Sequence, residues 1–525
     1  MVVINTHLTA VLYDHYVRWQ MKKTPSGIVP IIRVDRRARE PLHRQIYNAY
    51  RTAIVDRALR PKEQVPSTRT LASELGVSRI PVLNAYAQLL AEGYFETHAG
   101  VGTVVSSMLP DQVALPQRSP ASPELPRGPR LISRDCSLLP SVQNVLPWLG
   151  GRWGAFSLGQ PALDQFPVKI WSRLVARQCR NLRLASMHYS DPMGSRDLRE
   201  AIATYVRTAR GVRCEAEQIM IVSGSQQALE ISTRVLLDRG GRVWVEEPGY
   251  RFARYVFNLN GCEVVPVPVD GEGLNVAAGI SRCRNARAVL VTPSHQYPLG
   301  VTMSASRRLQ LLEWSNKSGS WIIEDDYDSE YRYESMPIAS LQGLDRGSRV
   351  IYIGTFSKVL FPSLRLGYVV IPPDLIERFL TVRLTLDIGP PTFFQAVLAD
   401  FIREGHFSRH IRRMRLLYRD RRSALLESLK KDLEVDVDVT GEQAGLHLSI
   451  TLPRGFSDHE IAERALQQRL WVAPLSASYQ ERPSPQGFIL GFSNTPSEEI
   501  PRAVRKLRDI LHYHKPPSGP RRAHA

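Results

Sequence analysis

Residues 42–54, LHRQIYNAYRTAI, bring Leu42, Ile46, Ala49, Tyr50, Ala53 and Ile54 to one face at helical spacing, which predicts an amphipathic helix. VPSTRTLASELG follows. Ser67 is its predicted N-cap, Leu71, Ala72 and Leu75 its buried face, and Gly76 its stop. VSRIPVLNAYAQLLAEGY predicts a third helix capped by Ser78. Pro81 falls in its first turn, where a missing N–H costs little, and Val82, Ala85, Tyr86 and Leu89 form the buried stripe. YFETHAGVGTVVS then alternates apolar positions across Gly100–Gly102, as a β-hairpin does. One helix, two helices joined by a tight turn, and a hairpin make a winged helix-turn-helix.

The pattern changes further along. IMIVSG, GRVWVEEP, ARAVLVTPS, GSWIIEDD and RVIYIGTFSK are short apolar runs separated by helical stretches. That alternation predicts an α/β unit with a mainly parallel sheet, whose ligands bind at the carboxyl ends of the strands. Between the two patterns, Ser107–Arg130 holds six prolines in 24 residues. Proline fixes φ and lacks a donor, so this stretch reads as a semi-rigid linker. The expected organisation is an extension over 1–30, the winged helix over 31–106 and a linker over 107–136. An α/β unit over 137–513 and a basic tail over 514–525 complete it.

Composition narrows the class. The 525 residues carry 68 Lys+Arg against 51 Asp+Glu, a net charge of +17, which favours a polyanionic partner. The basic run Arg33, Arg36, Arg37, Arg39 and Arg44 opens the small unit. The five cysteines are scattered and form no C-x-x-C pair, which argues against a disulfide scaffold or zinc ribbon and fits a reducing cytoplasm. No apolar run approaches the roughly 18–20 residues that span a bilayer, and the first residues lack a basic leader, so neither membrane nor signal peptide is expected.

The strand ends hold the candidate chemistry. Lys358 directly follows a strand beside Thr355, Ser357 and Arg365, a set suited to an amine nucleophile next to a phosphate. Asp325 and Tyr327 end another run, where a carboxylate and a phenol can hold a heteroaromatic ring. Gly224, Ser225 and Gln226 form a strand-to-helix turn of the kind that cradles phosphate. Tyr250, closing EEPGY, is placed to stack on a flat ring. The carboxylates Asp325, Asp326, Asp328 and Glu330 lack the glycine or histidine spacing of a cation site, so no metal is expected.

The first unit, PLHRQIY…VPSTRTLASELGVSR…GVGT, resembles the DNA-binding domain of the GntR family. The resemblance implies that the third helix enters the major groove of double-stranded DNA. Arg69, Ser78, Arg79 and the wing glycines Gly100 and Gly102 would contact phosphate or bases. Two departures stand out: Lys62 follows Pro61 where glycine is frequent, and Ile80-Pro81 replaces a usual polar pair, so base preference does not carry over.

The second unit resembles the fold-type-I aminotransferases that use pyridoxal 5′-phosphate. The resemblance implies that Lys358 forms the internal aldimine, Asp325 binds the pyridine nitrogen and Tyr327 the O3′. Tyr250 stacks, and Gly224, Ser225, Gln226, Thr355, Ser357 and Arg365 surround the phosphate. Tyr297 of HQYPLG stands where the family has asparagine, and Tyr189 of YSDPMG matches the tyrosine that reaches the partner subunit's phosphate. In the late strand GFILGFSN, Ile489 stands where aminotransferases hold the substrate carboxylate with arginine, and Arg482 is a nearby substitute. Phe252 stands where regulators sensing γ-aminobutyrate offer a second cation.

Together the two units resemble the MocR/GabR family of regulators. That implies a head-to-tail homodimer sensing an amine, an amino acid or pyridoxal phosphate itself. An active aminotransferase carrying a DNA-binding module is the alternative, and an inert dimerisation scaffold a second.

Overall fold

The computed structural model describes residues 21–24, 27–30, 32, 34–107, 133, 136, 139, 154–182, 187–333 and 339–514. The chain divides into two compact units, 1–130 and 131–525. The expected linker and basic tail lie, but for a few residues, outside the described ones.

In the first unit, β1 (Met21–Thr24) pairs antiparallel with β2 (Gly27–Pro30), so the stretch expected to be an unpatterned extension contains a short hairpin. Next come α1 (Leu42–Val55), α2 (Thr68–Glu74) and α3 (Arg79–Ala91), then the antiparallel wing of β3 (Phe95–His98) and β4 (Gly102–Val105). Ser67 caps α2, accepting from the Thr70 N–H at 3.1 Å, and Gly76 ends the turn after α2 at φ +62°. Ser78 occupies the N-cap of α3 but makes no capping bond. The donor such a cap uses at the third helical position is absent, because that residue is Pro81. Val82, Ala85, Tyr86 and Leu89 are buried as expected.

Three rings lock this unit together. Tyr50 on α1, Tyr86 on α3 and Phe95 on β3 meet edge-to-face at 5.1–5.6 Å. The Tyr86 hydroxyl donates to the Pro66 carbonyl at 2.9 Å, fixing the entry to α2. Helix, helix-turn-helix and wing are thus pinned at one point, which sets the angle at which α3 is presented.

The second unit is built on an eight-stranded sheet. Its strands are β5 (Ile219–Val222), β6 (Arg242–Glu247), β7 (Glu263–Asp270), β8 (Gly273–Leu274), β9 (Ala288–Val291), β10 (Trp321–Asp326), β11 (Val350–Thr355) and β12 (Gly367–Val370). They lie in the order β5-β12-β11-β10-β9-β6-β7-β8. The run from β11 to β7 is parallel, while β12 and β8 are antiparallel to their neighbours. Successive side chains enter opposite cores: Met220, Ile323 and Ile353 pack on one face, Ile219, Ile221 and Tyr352 on the other. The sequence pattern left β7 unnoticed because Pro266 and Pro268 interrupt it; β7 tolerates them beside the two-residue β8, close to the sheet edge. A second sheet pairs β13 (Asp438–Thr440), β14 (His447–Thr451), β16 (Gly487–Gly491) and β15 (Ala473–Pro474), in that order. Among the described residues no helix is long and apolar enough to cross a membrane.

Candidate functional site

The carboxyl ends of β5, β6, β9, β10 and β11 open into one cavity of about 780 Å³. Gly224, Ser225, Gln226, Tyr250, Tyr297, Asp325, Tyr327, Thr355, Ser357, Lys358 and Arg365 all line it. Strand register brings this about: Asp325 pairs with Ile353, so β10 and β11 end side by side and their next residues face the same space.

The two-residue period of β10 sorts its carboxylates. Glu324 points away and accepts from the Leu341 and Gln342 N–H groups. Asp326, on the same side, is tied to Arg210 at 2.8 Å and to the Tyr352 hydroxyl at 2.6 Å. Asp325 faces the cavity. Among the described residues its buried Oδ1 has no hydrogen-bond partner, and burial together with the Asp326 charge pushes its pKa up to about 7. A buried carboxylate in that state is matched by a cationic N–H, which a pyridinium provides.

Lys358 enters from the end of β11. Its Nζ donates to the Gly159 carbonyl at 3.2 Å. Burial lowers the amine pKa, with Asp328 and Asp325 opposing and Arg365 assisting. A lowered pKa enlarges the share of neutral, nucleophilic amine at any given pH. The phosphate side is built from backbone freedom and unsatisfied charge. Gly224 has φ +108°, and a Cβ there would stand 3.4 Å from the Arg365 guanidinium. Ser225 begins the helix Ser225–Leu236, whose first N–H groups are free of helical partners. Among the described residues the Arg365 guanidinium makes no hydrogen bond or ion pair, and Ser357 N–H donates to Thr355 Oγ1 at 3.2 Å. The glycine cradle, the free guanidinium, the orphaned carboxylate and the buried amine together fit pyridoxal phosphate.

Next to Tyr327 lies a polar layer of His295, Asp328 and His447 to which sequence reading gave no role. The Tyr327 hydroxyl donates to the His295 carbonyl at 2.8 Å, and His295 Nδ1 lies 3.1 Å from both Asp328 oxygens. His447 on β14 faces the cavity and shares the Pro298 carbonyl with Ser449. Burial holds His447 neutral. HQYPLG contained a signal for His295; His447 had none, since it arrives from the second sheet. Gly159, too, lies far from Lys358 in sequence.

The remaining expectations divide. Ile489 is buried on β16 and lines the cavity, as the sequence suggested. Arg482 is exposed, donates to Ser484 and does not line it, so it is no substitute for the missing arginine. Arg251, unremarked in the sequence, does line it; its guanidinium lies 5.2 Å from the Phe252 ring centroid and makes no hydrogen bond or ion pair among the described residues. Tyr189 stands 87% exposed, outside the cavity of its own chain. In the first unit Arg69 and Arg79 are exposed, Arg79 Nε donating to Thr68 at 3.2 Å, and Gly100 and Gly102 have φ +79° and +96°.

A winged helix joined to a cofactor-binding aminotransferase fold defines a class of DNA-binding regulators. Residues 42–105 match the family described as bacterial regulatory proteins, gntR family, and residues 156–507 match aminotransferase class I and II. The chain is 38% identical over 483 residues to the probable rhizopine catabolism regulatory protein MocR of Rhizobium meliloti, covering 91% of this chain and 95% of that one. It is 31% identical to the pyridoxine biosynthesis transcriptional regulator PdxR of Corynebacterium glutamicum, covering 89% and 95%. The kynurenine aminotransferase of Pyrococcus horikoshii, solved in complex with PMP, superposes with a TM-score of 0.68 at 28% identity, covering 73% of this chain and 98% of that one. The chain belongs to the aminotransferase class I and II family, in the gntR-type branch of transcriptional regulators that includes MocR.

Proposed function

We propose that this DNA-binding regulator senses an amine-bearing metabolite at Lys358 and converts its arrival into a change of operator affinity. Pyridoxal phosphate is the cofactor of the second unit. When bound it supplies an aldehyde that primary amines condense with and an electron-withdrawing ring. In this reading Lys358 would hold the cofactor, whose aldehyde would be open to a visiting amine. Asp325 would hold the ring nitrogen, Tyr327 the ring oxygen, and Tyr250, with Tyr297 next to it, would stack on the ring. Gly224, Ser225, Gln226, Thr355, Ser357 and Arg365 would hold the phosphate. Tyr189, exposed on its own chain, reaches the partner's pocket in a head-to-tail dimer.

The observation that carries the reading is the pairing of a buried, down-shifted amine with an unpartnered buried carboxylate in one cavity. Arg251 is the cation left to receive an acidic group of the effector, because Ile489 offers none. Linkage sets the size of the response: the effector moves the DNA-binding equilibrium by its difference in affinity between the two forms. Lys358→Ala is expected to lose the visible absorbance of the cofactor-loaded protein and the amine-dependent change in duplex affinity. Retention of both would overturn the assignment. Multiple turnovers with an amino donor and a keto acid would favour the enzyme reading instead.

A further inference from the structure

α3 breaks the pattern of a surface helix. Its inward face is apolar and buried. Its outward face is apolar as well: Ile80 is 67% exposed, Leu83 41% and Leu90 38%, with Ala87 also exposed. Leu83, Ala87, Ile80 and the amide Asn84 fall within about 100° of arc. Such a helix is normally covered on both sides.

The surroundings say by what. Arg79, which opens α3 and donates to Thr68 on α2, puts positive charge at the N-terminal end of the strip, and Arg69, next to Thr68, is exposed as well. Guanidiniums beside branched aliphatic groups suit a polyanion with apolar points on its floor. In the DNA major groove the thymine C5-methyl is that point, and the neighbouring adenine edge offers the donor and acceptor that an amide matches. We infer that Ile80 and Leu83 read thymine methyls and that Asn84 reads an adenine beside them. Each half-site then carries a run of A·T pairs under the first two turns of α3. The other exposed apolar residues, Ala87 and Leu90, lie beyond those turns.

Removing the methyl alone provides the test. Duplexes selected by the full-length protein from a random-sequence pool at fixed salt are expected to share an A·T run in each half-site. Replacing its thymines one at a time by deoxyuridine deletes a methyl and keeps every hydrogen-bonding group. Affinity is expected to fall about fourfold at each contacted position, the worth of one buried methylene. Ile80→Ala and Leu83→Ala, at exposed positions, are expected to keep the helical circular dichroism and each to lose the preference for thymine over deoxyuridine at its own contacted position. Asn84→Ala is expected to lose roughly tenfold in preference for adenine. G·C-rich selected half-sites, no thymine-to-deoxyuridine effect at any position, or full thymine preference in both alanine variants would overturn the inference. So would variants that weaken self-association in sedimentation while leaving duplex affinity intact, since a second copy would then cover the strip. The amine-sensing reading plays no part in these measurements, so its failure would leave them unchanged.

Discussion

Gly159 and Lys358 define each other's place: the lysine Nζ donates to the Gly159 carbonyl at 3.2 Å, and a Cβ on Gly159 would lie 2.3 Å from that nitrogen. Gly159 also sits at φ +63°, a conformation that costs other residues about 1–2 kcal/mol. Two separate demands, space and backbone, therefore fall on one residue. Gly159→Ala is expected to fold with slightly lower stability and to displace the amine. Cofactor uptake, followed by absorbance, should weaken at least ~10-fold, by analogy with other ångström-scale misplacements. Uptake equal to the unmodified protein would show that the amine has room to relocate.

Asp325 makes the cofactor-free protein sensitive to pH. Its folded pKa of about 7 stands above the ordinary 3.8 of an aspartate, so between those values the folded state holds a proton that the unfolded state has released. Stability therefore falls as pH rises through this window, by at most about 4 kcal/mol from this group. Asp325→Asn removes that dependence. The Tm difference, variant minus unmodified, is expected to grow from near zero at pH 4 to its full value above pH 7. Glu246, Glu324 and Glu330, also raised to about 7, are retained in both proteins, so the difference reports Asp325 together with its coupling to Glu246. Loading the cofactor should shrink the effect, because a ring N–H then partners the carboxylate.

Much of this was legible in sequence because the fold places chemistry at strand ends, and strand ends are where apolar runs stop. Asp325, Lys358 and Tyr250 stood at such stops. Asp325 was named from the WIIEDDYD stretch; the period of two, with Arg210 and the Leu341 turn taking the alternate residues, gives the physical reason that it, and not Glu324 or Asp326, faces the cavity. His447, Gly159 and Arg251 were illegible for a different reason. Each depends on a contact distant in sequence or on the direction of one long side chain, and neither leaves a periodic trace. Ser78 shows the limit of capping rules: the residue type was right, and Pro81 removed its usual donor.

DNA contacts are predicted to divide by their salt response. Arg69, exposed at the start of α2, is placed for a phosphate. Arg69→Ala is expected to weaken binding to all duplexes alike and to reduce the slope of log affinity against log salt by about one. An unchanged slope would remove Arg69 from the phosphate contacts.

The effector's acidic group is predicted to meet Arg251. The Tyr297 hydroxyl, raised by burial, is held back by the Arg251 charge, so the guanidinium acts electrostatically on the cavity wall. It stands at the start of the helix Arg251–Leu259, with one edge over Phe252 and the rest uncommitted among the described residues. A charge-assisted hydrogen bond in such a setting is worth roughly 1.5–3 kcal/mol. Arg251→Ala is therefore expected to weaken the spectral response to amines bearing a carboxylate or other acid by roughly 10- to 100-fold. The response to a plain amine of similar size should stay within about twofold, because that ligand never used the cation. Arg251→Lys, keeping the charge but losing the fork, should recover part of the loss. Equal weakening toward both kinds of amine would mean that Arg251 supports the cavity wall and leaves acid recognition to another group.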